Sequence, residues 1–310
     1  MKGPLFYSKI LLFGEYGIIK DSKGLSIPYN FFKGALKTDK NQSKEAKKSN
    51  ACLSDFCEYL LEIQSEDLVE FNSTAFQKDI EKGMYFDSSI PQGYGVGSSG
   101  ALVAAIYDKY ASNKITVLEN LTREKLIKLK TIFGEMESFF HGKSSGLDPL
   151  NSYLSLPILI NSKDNIQSTS LPAQHNEGKG AVFLLGSGTM GETAPMVQIF
   201  MEQMKEEGFR NMLKNKFIKH TDACVEHFLN GDVKSLFGHV KQLSHVVLDN
   251  FKPMIPKEFH NLWKKGIETN EYYLKLCGSG GGGYILGFTE DIEKARTSLR
   301  DYNLEVVYNF

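Results

Sequence analysis

The stretch PQGYGVGSSGALVAA, residues 91–105, places glycines at alternate positions directly before two serines and a run of small apolar residues. Glycine-rich turns ahead of a helix suit phosphate, because their amides approach a ligand closely and the helix start carries partial positive charge. Gly95, Gly97 and Gly100 also satisfy the dinucleotide pattern GxGxxG, whereas the missing lysine excludes the GxxxxGK[ST] phosphate loop. The stretch therefore predicts a phosphate-binding turn, and the ligand has to be inferred from the rest of the chain.

Composition restricts the class of protein before any other motif is considered. The chain has 310 residues, 41% of them hydrophobic and 24% charged, which predicts a folded protein of one or two domains. A formal net charge of -1 argues against nucleic-acid binding, and the apolar start is too short and too charged to span a membrane. Four cysteines that form neither CxxC nor a Cys/His spacing expected of zinc favour a reducing, cytoplasmic compartment.

The pattern of apolar residues and turns predicts mixed helix and strand in the first half of the chain. The polar run TDKNQSKEAKKSN predicts a surface loop. Ser98 or Ser99 is expected to cap the helix after the glycines, because a serine hydroxyl accepts a hydrogen bond from a first-turn amide. The expected segments are strands within 7–19, 24–36 and 114–118, a loop at 38–50, and helices at 54–64 and 122–140, the last followed by a strand.

A polar run at residues 161–180 predicts the boundary between an N-terminal domain, residues 1–175, and a C-terminal domain, residues 176–310. The C-terminal domain is expected to contain a strand at 181–185, amphipathic helices between 195 and 269, and two strands around CGSGGGG.

This second glycine cluster, Gly278–Gly283, lies between the strand-like segments YYLKLC and YILGF. Its glycines cost conformational entropy on folding, so a plain hairpin and close packing against a phosphate or another backbone loop are both open interpretations. A third segment, FGEMESFFHGKSSGLDP, places Glu135 and Glu137 ahead of Asp148. Carboxylate oxygens at a helix end and in the following loop suit Mg2+, which would bridge nucleotide phosphates.

A dehydrogenase is one alternative. It requires a strand before the glycines and an acidic residue about 20 positions beyond them to hold a ribose hydroxyl, a place that Glu119 could take. Pro91 interrupts the approach to the loop, and this hypothesis leaves Gly278–Gly283 unexplained.

Three motifs together resemble the GHMP kinase superfamily, and within it mevalonate kinases most closely. KILLFGEYGII resembles the first motif of the superfamily, PQGYGVGSSGALVAA its PxxxGLGSSAA nucleotide loop, and KLCGSGGGGYI its glycine-rich third motif. ESFFHGKSSGLDPLNSYLS is similar to the segment E(x)3HGxPSGxDNxxS of mevalonate kinases. The resemblance implies an α+β chain of two domains, one like ribosomal protein S5 domain 2 and one ferredoxin-like, that binds ATP and Mg2+.

The resemblance also implies a role for each matched residue. Asp148 would face the substrate hydroxyl with Lys9 beside it, and Ser99, or its neighbour Ser98, would hold Mg2+ together with Glu137. The residues expected against the ATP phosphates are Pro91, Gly93, Gly95, Val96, Gly97, Ser98, Ser99 and Gly100. The residues expected at the substrate are Glu15, Tyr16, His141, Gly280 and Gly281.

The implied activity is ATP-dependent phosphorylation of the primary hydroxyl of mevalonate, a small-molecule partner. A homodimer is left open as the assembly. Departures from the family pattern bear on the substrate: Tyr16 replaces the histidine of GEH, Ser144 replaces the proline of HGxPSG, and Gly100 replaces an alanine. GEY is also found in phosphomevalonate kinases, whereas His141 favours mevalonate. Phosphomevalonate kinase, a sugar or other small-alcohol kinase, and a catalytically silent regulator with a kinase fold are the alternatives.

Overall fold

The structure, a computed structural model, describes residues 3–63, 70–117, 120–174 and 178–310. The chain forms two compact units, and it passes between them several times. The first unit contains Met1–Lys9, Pro28–Pro91 and Gly97–Leu156, and the second contains Ile10–Ile27, Gln92–Val96 and Pro157–Phe310. The stretch at residues 91–105 therefore contributes residues to both units. The predicted boundary between residues 175 and 176 lies outside the described residues.

The described strands form two sheets. In the first unit, Gly34–Thr38 pair antiparallel with β3, and in the second unit Gly24–Ser26 pair antiparallel with β4, which also pairs with β5. A separate sheet in the second unit has the antiparallel order β7-β8-β6-β9. The strands are β1 (Phe6–Phe13), β2 (Gly24–Thr38), β3 (Met84–Ser88), β4 (Ile158–Ser162), β5 (Asn165–Ser168), β6 (Ala181–Gly186), β7 (Tyr273–Leu276), β8 (Tyr284–Thr289) and β9 (Leu304–Asn309).

The helices of the first unit begin at polar caps or glycines. Ser43 accepts a hydrogen bond from the Ala46 amide, and Thr122 accepts one from the Lys125 amide, which satisfies first-turn donors. Small buried residues of the third helix allow it to pack closely on the fifth. The helices are α1 (Lys44–Glu62), α2 (Ser73–Glu81), α3 (Ser98–Tyr110), α4 (Arg123–His141) and α5 (Leu147–Leu154).

At three places the structure differs from the local predictions for this unit. The polar run at 38–50 is not wholly a loop, because α1 begins at Lys44 and buries Ala46 with the apolar residues that follow. The strand expected after α4 is present as β4, but no helix was predicted before it: α5 intervenes, with Pro149 in its first turn, where a missing amide costs no helical hydrogen bond. Residues 114–117, the described part of the expected strand before Glu119, lie outside the strands. Leu118 and Glu119 lie outside the described residues.

The core of the second unit lies between its four-stranded sheet and its helices. Phe13 stacks on Phe288 of β8 at a ring-centroid distance of 5.3 Å, and Trp263 is fully buried. Burial of such large aromatic side chains contributes strongly to stability. The helices of this unit are α6 (Thr193–Gln203), α7 (Glu207–Met212), α8 (Lys219–Leu229), α9 (Val233–Asn250), α10 (Phe259–Thr269) and α11 (Ile292–Ser298), with one π-helical segment (Leu213–Ile218) joining α7 to α8.

Candidate active site

The start of α3 is capped by a glycine. Gly97 is the N-cap residue in the left-handed conformation, with φ +81°, and no side chain caps the helix. The predicted serine cap is therefore wrong, because Ser98 and Ser99 already belong to the first turn. A Cβ added to Gly97 would lie 3.0 Å from Cγ of Lys9, so the backbone passes directly over that side chain.

A buried carboxylate lies beside this helix start. Glu137 of α4 is 3% exposed and accepts hydrogen bonds from the hydroxyls of Ser99, at 2.8 Å, and of Ser144. His141, one turn further along α4, places its Nε2 3.0 Å from the Ser99 hydroxyl oxygen. We call Ser99, Glu137, His141 and Ser144 the serine-carboxylate cluster. Sequence reasoning missed the contact of Ser144, because it treated that residue only as a departure from a family proline.

The environment of Glu137 favours a cation. Burial, and secondly the charge of Asp148, raise the pKa of Glu137 to about 7, against the opposing hydrogen bonds from Ser144 and Ser99. Partial desolvation lowers the pKa of the His141 imidazole. A buried carboxylate with a hydroxyl beside it is an all-oxygen donor set, which fits the preference of Mg2+. Residues 3–63, 70–117, 120–174 and 178–310 contain no group of three or more His, Cys, Asp or Glu side chains that could hold a metal ion.

An ion pair joins the first strand to the fifth helix. Lys9 Nζ lies 2.9 Å from Oδ1 of Asp148, with the lysine almost wholly buried and the carboxylate about one-third exposed. Asp148 is in the first turn of α5 and Lys9 is in β1, so both side chains are held by regular structure. The arrangement leaves a solvent-accessible carboxylate next to a fixed positive charge, which suits proton transfer to and from a hydroxyl.

The small residue at position 100 has a steric cause in this fold. A Cβ on Gly100 would lie 2.7 Å from the carbonyl carbon of Asp148 and 2.8 Å from the nitrogen of Pro149. Real Cβ atoms essentially never approach so closely, so glycine lets α3 and α5 meet at this point. The family alanine would not fit here without a shift of the Asp148 backbone.

The first half of the nucleotide motif, residues 92–96, belongs to the second unit. Gly93 and Gly95 have φ of +74° and +77°, and Val96 is buried. The Gly93 carbonyl accepts a hydrogen bond from the Gly191 amide at 2.8 Å. A Cβ on Gly95 would lie 2.5 Å from the Cys277 carbonyl oxygen. These glycines thus allow close backbone contacts, which a larger residue would prevent.

The glycine-rich loop, Gly278–Gly283, packs against other backbone segments of the same unit. Gly281 donates to the Met254 carbonyl and Gly283 donates to the Thr189 carbonyl, each at 2.6 Å. Gly280 and Gly281 have φ of +78° and +77°, conformations that favour glycine. The loop therefore follows the close-packing interpretation rather than that of a plain hairpin.

Two residues of the first motif are buried in the second unit. Glu15 Oε1 lies 2.7 Å from Lys275 Nζ, with both side chains 5% exposed. The Tyr16 hydroxyl donates to the Ser279 carbonyl at 2.6 Å, and burial raises the pKa of Tyr16. Sequence reasoning missed Lys275, although a single lysine within the apolar segment YYLKLC is the signal that could have found it. Pro91, expected at the ATP phosphates, is the last residue of the first-unit segment Pro28–Pro91 and lies three residues after the end of β3.

Known proteins resemble this chain both in sequence and in fold. Residues 59–155 match the family described as GHMP kinases N terminal domain, and solved GHMP kinases align with nearly the whole chain. The chain has the GHMP kinase fold. The predicted superfamily resemblance and the α+β fold class are thereby confirmed. The dinucleotide-binding hypothesis is wrong, because that fold requires a parallel sheet, whereas strand pairs such as β2 with β3 and β6 with β8 are antiparallel here.

Three solved structures with the GHMP kinase fold illustrate the likeness. L. major mevalonate kinase, in complex with R-mevalonate, is 16% identical and matches 97% of this chain and 93% of its own, with a TM-score of 0.63. Streptococcus pneumoniae phosphomevalonate kinase, in complex with phosphomevalonate and AMPPNP, is 12% identical over 99% of both chains, with a TM-score of 0.64. Lactococcus lactis galactokinase, complexed with galactose, is 11% identical over 98% of this chain and 92% of its own, with a TM-score of 0.65.

No curated protein sequence matches the chain. In the part of the chain that the structure describes, no helix has the length and apolar character needed to cross a bilayer.

Proposed function

We propose that this protein is an ATP- and Mg2+-dependent kinase that phosphorylates the primary hydroxyl of mevalonate, with 5-phosphomevalonate and ADP as products. The observation that carries the proposal is the placement of Lys9 and Asp148 at 2.9 Å in the same unit as the bonded pair Ser99 and Glu137. The match of residues 59–155 to the GHMP kinases N terminal domain supports a small-molecule kinase.

Each part of this constellation has a chemical use. Asp148 orients the substrate hydroxyl and accepts its proton, while the ammonium of Lys9 stabilises the negative charge that develops on the oxygen. The amides at the start of α3, which no side chain caps, are suited to a phosphate oxygen. Ser99 and Glu137 would hold Mg2+, which neutralises charge on the triphosphate when bound. Phosphoryl transfer depends mainly on such positioning and charge neutralisation.

The choice of mevalonate rests on His141 and on the kinases that share the fold. The first of the compared structures is bound to R-mevalonate, and the HG segment at the end of α4 resembles that of mevalonate kinases. Tyr16 in place of histidine favours the runner-up, phosphomevalonate kinase, whose Streptococcus pneumoniae representative shares the fold. We also propose a cytoplasmic location, which the four free thiols support.

The test offers the purified protein ATP and Mg2+ with mevalonate, phosphomevalonate or galactose in parallel, and it measures both ADP release and the mass of the product. We expect turnover with mevalonate and a product heavier by one phosphate. Turnover with phosphomevalonate alone would replace the substrate by the runner-up. AMPPNP binding without turnover on any alcohol would favour a silent regulator.

A second measurement tests the proposed Mg2+ ligands. Glu137→Gln removes the charge of the carboxylate, so we expect the Mg2+ concentration for half-maximal activity to rise at least about tenfold. Glu135→Gln changes an exposed glutamate of the same helix and is the matched control. Equal Mg2+ dependence of the two variants would contradict the assignment of Glu137.

A further inference from the structure

Two consecutive residues of the first motif, Glu15 and Tyr16, contact the glycine-rich loop or the residue that leads into it. Glu15 is paired with Lys275, which precedes the loop, and the Tyr16 hydroxyl is bonded to the Ser279 carbonyl inside the loop. Tyr16 has φ 60° and ψ -39°, a conformation that non-glycine residues rarely adopt. Such a conformation persists only where surrounding contacts determine it.

Contacts around the Tyr16 ring hold it in place. Its centroid lies 4.7 Å from that of Phe200 and 5.9 Å from that of Phe251, and the residue is 7% exposed. Aromatic neighbours at these distances restrict the orientation of the ring. The packed ring therefore holds the Tyr16 hydroxyl in place against the Ser279 carbonyl. Its one proton is donated to that backbone carbonyl.

The glycine-rich loop in turn supports the first half of the nucleotide motif. A Cβ on Gly283 would lie 2.5 Å from Cα of Tyr94, and the Tyr284 amide donates to the Tyr94 carbonyl at 3.3 Å. A Cβ on Gly278 would lie 3.2 Å from Cα of Gly95. A shift of the loop would therefore be transmitted to residues 93–95, because the two backbones are in direct contact.

We infer that Tyr16 is a positioning residue for ATP binding, which acts by fixing the glycine-rich loop beneath residues 93–95, and that Glu15 assists it through Lys275. The inference rests on the proposed function and on the role that the family resemblance implies for Gly93, Gly95 and Val96, which is contact with the ATP phosphates. It differs from the role that the family resemblance implies, because it assigns the effect of Tyr16 to the nucleotide and not to the alcohol substrate. A loop rich in glycine has many accessible conformations, so an external hydrogen bond at Ser279 narrows them.

The experiment compares Tyr16→Phe with Tyr308→Phe. Tyr308 also donates a hydrogen bond to a backbone carbonyl of the second unit, that of Pro172 at 2.8 Å, but lies in β9 and makes no part of the loop. We expect Tyr16→Phe to raise both the KM for ATP and the Kd for AMPPNP about three- to tenfold, the change that the loss of one hydrogen bond produces. The KM for the alcohol substrate should stay within about twofold, and Tyr308→Phe should leave all three constants unchanged.

Amide hydrogen exchange provides a measurement that requires no ligand. Tyr16→Phe should speed exchange in peptides that cover residues 92–96 and 278–283, while Tyr308→Phe should not. Glu15→Gln is a second variant with the same expected direction, and it weakens the attachment at Lys275 without touching the Tyr16 ring.

The outcomes separate this inference from the proposed function. Unchanged exchange in both segments, or a rise in the KM for the alcohol substrate alone, would overturn the role of Tyr16. Absence of mevalonate turnover in the wild-type protein would overturn the proposed substrate, while exchange and AMPPNP binding would still decide the role of Tyr16.

Discussion

Lys9 Nζ lies 2.9 Å from Oδ1 of Asp148, and the lysine is among the few charged residues buried in the described part of the chain. A buried ammonium is costly unless it is paired, and Asp148 supplies the opposite charge beside Lys9. The carboxylate remains partly accessible, which is the condition for contact with a substrate hydroxyl.

Asp148→Asn should abolish most turnover while AMPPNP binding is kept. The amide cannot accept the hydroxyl proton, and loss of a general base lowers kcat about 10²- to 10⁴-fold. Asp108→Asn is the control, because Asp108 forms an ion pair with Lys114 at the same 2.9 Å in the same unit, away from the candidate site. Steady-state kinetics checks the result, and wild-type kcat in Asp148→Asn would refute its role as base.

Gly100→Ala should lower kcat although it restores the residue typical of the family. The new methyl group would lie 2.7 Å from the Asp148 carbonyl carbon, so α5 must shift and carry the carboxylate with it. Gly238→Ala is the control: its Cβ meets nothing within 4 Å in α9, where alanine stabilises a helix by about 0.5–1 kcal/mol. Equal kcat for both variants and wild type would show that α5 accommodates the methyl group without a functional change.

Gly95→Ala should weaken AMPPNP binding at least about tenfold, whereas Gly188→Ala should not. Both glycines have φ near the left-handed region, at +77° and +78°, so both substitutions carry the conformational cost of about 1–2 kcal/mol. Only at Gly95 would the Cβ meet backbone, 2.5 Å from the Cys277 oxygen, while Gly188 faces open space. Nucleotide titration and urea unfolding of both variants separate the steric effect from the conformational one.

Stability should fall as pH decreases below about 6.5, through His220 and His239. Their Nδ1 atoms lie 3.0 Å apart. Burial is the largest cause that lowers both pKa values. The charges of His239 and then Lys219 lower the pKa of His220 further, and those of His227 and then Lys219 lower the pKa of His239 further. The folded state therefore binds fewer protons than the unfolded state once pH falls below 6.5, and this difference favours unfolding.

The measurement is the urea midpoint between pH 8 and pH 5. The double variant His220→Gln and His239→Gln should lose less stability over this range than the wild type. His245→Gln, an exposed position of α9, should retain the wild-type pH dependence. An identical pH dependence of all three proteins would contradict a contribution from the pair.

Several parts of the fold were predictable because their signal is local. Apolar segments around Gly278–Gly283 correctly predicted β7 and β8, and the periodic helix at 122–140 was correctly predicted as α4. The polar run before Ala46 was misassigned, since a helix can begin in polar residues when its later turns are buried. α5 was missed because HGKSSGLDP has loop composition, whereas the helix that begins at Leu147 packs on α3 and α4, a contact between distant segments that the local sequence does not show.

By itself the sequence determined the chemistry that this protein carries: glycines for left-handed turns, oxygen donors near a helix end, and motifs in an order that resembles GHMP kinases. Only the tertiary structure decided which serine reaches Glu137, why position 100 is glycine, and that Glu15 and Tyr16 face Lys275 and Ser279. The physical reason is the range of the interactions. Turn and helix preferences act over a few residues, whereas these contacts join segments far apart in the chain, and their geometry depends on how whole strands and helices pack.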